Sequence, residues 1–324
     1  MLNIDNYREV FISYLNKKIF TKEPKGLYDP MVYILGLGGK RLRPILTLMA
    51  ADIFEGDYKN ALDAALAVEV FHNFSLVHDD IMDHAPLRRG KQTVHEKWNL
   101  NTGILSGDAM LIVAYQLFEN YDAETFQKLA KLFSKTAIEV CEGQQYDVDF
   151  ETRDHVTIAE YIKMITYKTA VLVGASLKMG AIVANTTSDN TEAIYDFGLN
   201  LGIAFQLKDD YLDVYGDPET FGKQTGGDII VNKKTFLYLK ALENLNNEDK
   251  KHLLQLYSTN SENSENKITL VKKYMLSSGA ANLTLKEIEN YTEKAFLVLK
   301  KLNISDDKKA ALRSFGENLM GRTV

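Results

Sequence analysis

Two short acidic patterns stand out in the 324-residue chain: His78-Asp79-Asp80-Ile81-Met82-Asp83 and Lys208-Asp209-Asp210-Tyr211-Leu212-Asp213, each reading D-D-x-x-D. On an ideal helix, at about 100° per residue, Asp79 and Asp83 lie about 20° to either side of His72. Leu66, Val70, Phe74, Val77 and Ile81 fall on the opposite side. One face is therefore core, and the other carries a histidine above two carboxylates. Carboxylates four residues apart repel, and in a half-buried setting a cation keeps both ionised. In the second pattern Gln206, Asp209, Asp210 and Asp213 share a face of a helix whose earlier turns carry Gly198 and Gly202. An all-carboxylate donor set suits a hard ion. Mg²⁺ fits, because it keeps waters and is held by a few carboxylates plus substrate phosphates.

Basic groups alternate with these clusters. Gly38-Gly39-Lys40-Arg41-Leu42-Arg43-Pro44 superficially suggests a phosphate loop, but G-x-x-x-x-G-K-[ST] fails twice, with Ile34 for the first glycine and Arg41 after the lysine. The better reading is two glycines freeing the backbone while Lys40, Arg41 and Arg43 converge on an anion and Pro44 opens a helix. Arg88-Arg89 follow the first cluster by a short loop, and Lys168-Thr169 interrupt an apolar helix. Lys223, Lys233 and Lys234 lie in a Gly-rich segment after the second cluster. Cations interleaved with two Mg²⁺-type clusters point to diphosphate substrates.

The elements that must position these groups are helical. Only 5 prolines occur, none between Pro86 and Pro218 and none after it. Proline is excluded from helix interiors, so spans free of it and rich in Leu, Ala, Lys and Glu favour an all-α chain. With 45% hydrophobic residues a sizeable core is available. Helical patterns run over 31–56, 59–85, 102–120, 123–146, 158–184, 192–214, 235–245, 248–256, 267–276, 280–302 and 305–318, with an amphipathic helix at the start, a loop over Thr21–Pro30 and a polar loop over Ser258–Asn266. No linker divides the chain, so residues 1–324 read as a single domain. One cysteine, Cys141, excludes an internal disulfide framework and fits a cytoplasmic protein. No signal peptide and no membrane span are expected. A net charge of −6 leaves no basic footprint for nucleic acid.

Together these motifs resemble the trans-isoprenyl diphosphate synthases, the polyprenyl synthetase family. The match rests on G-G-K-R-x-R-P, the first D-D-x-x-D followed by Arg-Arg-Gly, the Lys-Thr pair, and F-Q-x-x-D-D-x-x-D with its lysines, in the family's order. The resemblance implies an isoprenoid-synthase helical bundle around a central cavity, usually a homodimer. It implies that Asp79, Asp83 and the second cluster, chiefly Asp209 with Asp210 and Asp213, hold Mg²⁺ on an allylic diphosphate contacted by Arg88, Lys168, Lys223 and Lys233. Lys40, Arg43, His72 and Arg89 would seat isopentenyl diphosphate, and Thr169 and Gln206 would flank the reactive carbons. The reaction implied is ionisation of the allylic diphosphate, condensation with isopentenyl diphosphate and loss of a proton.

In the family, bulk just upstream of the first cluster stops the growing chain. Phe74 at five-before with the small Ser75 looks like a geranylgeranyl-type arrangement, whereas the helical wheel turns Phe71 and Ser75 nearer the cavity. A short-chain product of C15 to C20, leaning C20, is expected. The terminal Gly-Arg-Thr-Val, with Arg322 alone, departs from the basic tail of many short-chain members. A class I terpene cyclase would need N-x-x-x-S-x-x-x-E, but Ile268 stands where the glutamate belongs. A di-iron bundle needs two E-x-x-H helices, and Glu69–His72 is the sole such pair. The alternative from another class is a catalytically silent subunit that binds prenyl diphosphates, although such subunits lose an aspartate cluster and both are intact here.

Overall fold

The computed structural model describes residues 2–18, 21–217, 225–258 and 264–321. It divides into two compact units, Met1–Lys135 with Ala175–Glu192, and Thr136–Gly174 with Ala193–Val324. Both are helical, and the strands among the described residues are one two-residue pair.

The first unit opens with α1 (Ile4–Lys17), capped by the Asn3 side chain, which accepts from the Asn6 N–H. Its buried face, Tyr7, Phe11 and Leu15, repeats every four residues. Two phenols fasten it: Tyr7 donates to Asp52 and Tyr14 to Asp63. The expected loop over 21–30 is shorter than read, since α2 (Lys25–Gly36) already contains Pro30. Pro30 lacks an N–H, so the helix gives up one ladder bond there.

The expected helix over 31–56 is broken. Gly38, Gly39 and Arg41 take positive φ values of 79°, 113° and 50°, which no helix accommodates. Helix α3 (Leu42–Ile53) restarts with Pro44 in its first turn. A 3₁₀ turn at Tyr58–Ala61 leads into α4 (Leu62–Met82), whose first half is buried on every side. Asp83 caps its C-terminus. Strands β1 (Leu87–Arg88) and β2 (Lys91–Gln92) form a hairpin through Arg89 and Gly90, both with positive φ (52° and 72°), the geometry a two-residue loop favours. Helices α5 (Val94–Lys97) and α6 (Leu100–Phe118) follow, then the 30-residue α7 (Ala123–Thr152).

Within the second unit, a capping box between Thr157 and Glu160 starts α8 (Ile158–Ile165). The apolar run expected as one helix over 158–184 is instead α8, a π-helical turn at Thr166–Ala170, and α9 (Val171–Val183). The chain continues through α10 (Ser188–Tyr215), α11 (Gly227–Ile230), α12 (Phe236–Asn244), α13 (Asn247–Ser258), α14 (Ser264–Ser277), α15 (Ala280–Leu299) and α16 (Asp306–Met320). The core of this unit collects Tyr161, Leu207, Phe236, Tyr238, Val271 and Met275. Of the polar loop expected over Ser258–Asn266, Ser258 ends α13 and Ser264 begins α14. Residues 259–263 lie outside the described residues, as do Lys223 and Arg322.

Candidate active site

The basic loop between α2 and α3 splits its cations between two jobs. Arg41, 6% exposed, turns inward and donates to Glu69 and to the Leu35 carbonyl. The expectation that it joins Lys40 and Arg43 on an anion is corrected: its left-handed backbone at the N-cap of α3 aims it at a buried carboxylate, which Asn73 Nδ2 also contacts at 3.0 Å. Lys40 is exposed. Arg43 lies in the first turn of α3, with Nη1 3.2 Å from His72 Nε2 on α4. Guanidinium only donates, so His72 accepts through Nε2 and is the neutral Nδ1–H tautomer. Burial, followed by the charges of Arg43, Arg89, Arg88 and Arg41, pushes the imidazole well below its ordinary pKa.

Arg43 itself is drawn down to about 10, chiefly by burial, and among the described residues its Nε is a buried donor without a partner. A buried unsatisfied donor calls for a ligand. Arg89, from the hairpin turn, donates to the Gly38 carbonyl. A side chain on Gly39 would meet that guanidinium at 2.7–2.9 Å, so the second glycine of the motif makes room for Arg89. Arg43, His72 and Arg89 thus form a basic cradle with open donor capacity.

At the end of α4 the three aspartates differ. Asp80 is 1% exposed and receives Arg88 through Nε (2.9 and 2.8 Å) and Nη2 (2.6 Å). Burial raises the Asp80 carboxyl against the pull of Arg88. Asp79 stands 3.8 Å from Arg88 Nη2, and Asp83 is exposed at the cap. Arg88 is therefore oriented chiefly by Asp80, which sequence reasoning did not nominate, with Asp79 at the edge of ion-pair distance.

The second unit presents a longer relay. Thr169 Oγ1, in the π turn, donates to Gln206 Oε1 (3.0 Å), and Gln206 Nε2 donates to Asp210 Oδ1 (2.9 Å). Tyr161 donates to the other oxygen of Asp210. Asp210 is 3% exposed and raised by burial. Both of its oxygens are occupied, so it orients Gln206, while Asp209 and Asp213 remain partly exposed as oxygen donors. Lys168 Nζ lies 2.6 Å from Asp147 Oδ2. Burial works to raise Asp147, yet Lys233 and Lys168 hold it below the usual carboxylate range. The neighbouring Lys234 serves a different end, donating to the Phe150 carbonyl (2.6 Å) at the close of α7. Asp228, on α11, donates its N–H to Asp213 Oδ2 at 3.0 Å. Burial and then the nearby aspartates push its carboxyl up to about 7 against Lys233.

The polyprenyl synthetase family model matches residues 24–275. The chain belongs to the polyprenyl synthetase family. A geranylgeranyl diphosphate synthase of Sulfolobus acidocaldarius is 37% identical over 300 residues, covering 90% of this chain and 91% of that one. The crystal structure of a geranylgeranyl pyrophosphate synthase superposes with a TM-score of 0.96 at 55% identity, covering 99% of both chains. A geranylgeranyl pyrophosphate synthase from Corynebacterium glutamicum, solved with isoprenyl diphosphate and magnesium, gives 0.86 at 26% identity, covering 99% of this chain and 100% of that one.

In this polyprenyl synthetase the carboxylates offer only hard oxygens, the donor chemistry Mg²⁺ requires. Among the described residues no three of them close on one point, so water and phosphate oxygens would complete the coordination. Of the residues read as a chain-length floor, Phe71 and Phe74 are aromatic core of the first unit. Phe71 is fully buried, with its ring 5.0 Å from Phe133 and 5.5 Å from Phe74. Phe74 in turn lies 4.8 Å from the ring of His78. Ser75 donates to the His72 carbonyl at 2.8 Å. Sequence reasoning missed Asp80, Asp147 and Asp228. The doubled aspartate, the Gly143–Asp147 spacing of four and the Gly-Gly-Asp at 226–228 were the available signals.

Proposed function

We propose that this enzyme, a short-chain trans-prenyltransferase, makes geranylgeranyl diphosphate by adding isopentenyl diphosphate to an allylic diphosphate. The observation that carries the substrate reading is the Arg43–His72–Arg89 cradle, whose buried Arg43 Nε is unpartnered. An anion with several oxygens satisfies that donor, and neutral His72 leaves the cradle's cations uncompensated by any proton transfer. We assign isopentenyl diphosphate to this cradle, with exposed Lys40 at its rim. Asp79 and Asp83 would hold Mg²⁺ in the first unit, and Asp209 and Asp213 would do so in the second; a relative was solved with isoprenyl diphosphate and magnesium. Bound there, the metal would supply charge for the departing diphosphate.

The chain's own groups do the rest. Lys168, held by Asp147, together with Arg88, Lys233 and Lys223, would take up charge as the allylic C–O bond breaks. Thr169 spends its hydroxyl proton on Gln206, which would leave its oxygen lone pairs to act as a dipole for the allylic cation. The isopentenyl double bond then bonds to the cation, and the adjacent proton leaves to the released diphosphate. No nucleophilic side chain is required.

The leaning to C20 is supported by the 55% identical geranylgeranyl pyrophosphate synthase and by the Phe71 and Phe74 rings upstream of Asp79, with Phe133 packed on Phe71. A homodimer is supported by Leu105 and Ile112, seven residues apart on α6 and 59% and 57% exposed. The uninterrupted match over 24–275 supports one catalytic domain spanning both units, and a lone cysteine supports residence in the cytoplasm. Among the described residues no helix is long and apolar enough to cross a membrane.

The test is product analysis with isopentenyl diphosphate and dimethylallyl, geranyl or farnesyl diphosphate, with Mg²⁺ or with EDTA. A metal-dependent C20 diphosphate is expected. No condensation with any starter would overturn the reading in favour of a silent subunit.

A further inference from the structure

Lys267, in the first turn of α14, is a lysine with 2% of its surface exposed. Burying an ammonium is costly unless partners replace its water. Its Nζ donates to Asn232 Oδ1, lies 3.4 Å from the Ile230 carbonyl, and stands 5.7 Å from the ring centre of Tyr257. All three are neutral. The two oxygens belong to the turn that closes α11, where the last carbonyls of a helix lack intrahelical donors. Asn232 holds φ 59° there, a conformation asparagine tolerates. The next residue, Ile268, packs on Gly226 at the other end of α11, where a Cβ would sit 2.8 Å from Ile268 Cδ1. Consecutive residues of α14 therefore grip both ends of α11.

Helix α11 in turn shapes the second aspartate cluster. The Gly226 N–H donates to the Asp213 carbonyl at 2.6 Å, and the Asp228 N–H donates to Asp213 Oδ2 at 3.0 Å. The Lys233 N–H returns to the Asp228 carbonyl at 2.8 Å. The Asp213 carboxylate thus takes its orientation from the α11 backbone, and the same turn sets where Lys233 leaves it.

We propose that Lys267 is a positioning residue for the second cluster: its buried ammonium pins the 225–234 segment so that Asp213 and Lys233 stand ready for the metal-bound allylic diphosphate. This rests on the reading of that cluster given above. Lys267→Met removes the charge at similar volume and leaves the α11 turn without its donor. Asn232→Gly keeps the positive φ and removes only the amide partner.

Steady-state kinetics at varied Mg²⁺ and varied concentrations of each substrate, with thermal unfolding alongside, tests the idea. Lys267→Met should raise the half-saturating Mg²⁺ and the allylic KM about tenfold, the scale seen for outer-shell partners of metal ligands. The isopentenyl KM and the unfolding midpoint should stay near wild type. Asn232→Gly should move the same two parameters by a smaller factor. Asp209→Ala, run in parallel, separates the two levels: if it leaves the Mg²⁺ dependence unchanged, the reading of the cluster fails. If it raises that dependence while Lys267→Met and Asn232→Gly do not, the Lys267 proposal alone falls. Equal rises in both substrate KM values, or a fall in the midpoint alone, overturn it as well.

Discussion

Arg41 and Arg43 stand two residues apart in one motif and do opposite work. Arg41 neutralises Glu69 where both side chains are under 5% exposed, whereas Arg43 keeps a buried, unpartnered Nε, the donor we assign to an incoming anion. Breaking a buried pair from one side strands a charge, so Arg41→Met should cost about 3–5 kcal/mol of stability, measured by denaturant unfolding. Arg43→Ala should instead raise the isopentenyl KM at nearly unchanged stability. His72 carries the pH prediction. Its folded pKa is lowered, so the contribution of neutral His72 is fully present above the unfolded value of about 6.5 and is lost as pH falls from there toward the lowered folded pKa. Unfolding free energy should therefore decline below that pH, and His72→Gln should flatten this part of the decline. The isopentenyl KM should show no His72 titration between pH 8 and 6. Residue identities were legible in the motif G-G-K-R-x-R-P. Their division of labour was not, because it depends on a positive φ at Arg41 and on a glutamate 28 residues away.

At the scale of elements, the π turn decides where Lys168 and Thr169 point. An α-helix through 166–170 would carry the following side chains around by a different angle, and π turns recur at functional sites. Gly143 on α7 lets the turn approach, since a side chain there would strike the backbone of Tyr167 and Lys168. Gly143→Ala should lower kcat at least about tenfold through misplacement of Lys168 and Thr169, with the isopentenyl KM little changed; kinetics and helix content by circular dichroism check it. The apolar run over 158–184 announced a helix but not this interruption. Hydrophobic periodicity reports one face at a time, and the π turn answers to a partner helix. The same limit applies to the 31–56 run, where consecutive glycines signalled freedom without fixing the break. The proposed product floor is packing between elements too. Phe74→Ala should lengthen products beyond C20, read by product chromatography; Phe71→Ala carries the larger folding penalty, about 3–5 kcal/mol for a fully buried phenylalanine.

For the whole molecule, length, composition and the absence of proline after Pro218 made an all-α chain legible, and the alternation of acidic and basic motifs made the chemistry legible. What composition could not convey is which apolar residues stay outside. Leu105 and Ile112 read as core by type, yet both are more than half exposed on α6. Leu105→Glu with Ile112→Glu should dissociate the proposed homodimer, shifting the mass in sedimentation from twice 36.6 kDa to 36.6 kDa. The attachment of α1 has a further consequence. Its phenol-to-carboxylate links, Tyr7 to Asp52 and Tyr14 to Asp63, sit seven residues apart, two turns of helix. A helix near the start of a chain ordinarily exchanges its amide hydrogens early, as a small unit that opens alone. Clasped at both points, α1 would instead exchange together with α3 and α4, and the first amides to trade hydrogen with solvent would belong to other parts of the molecule.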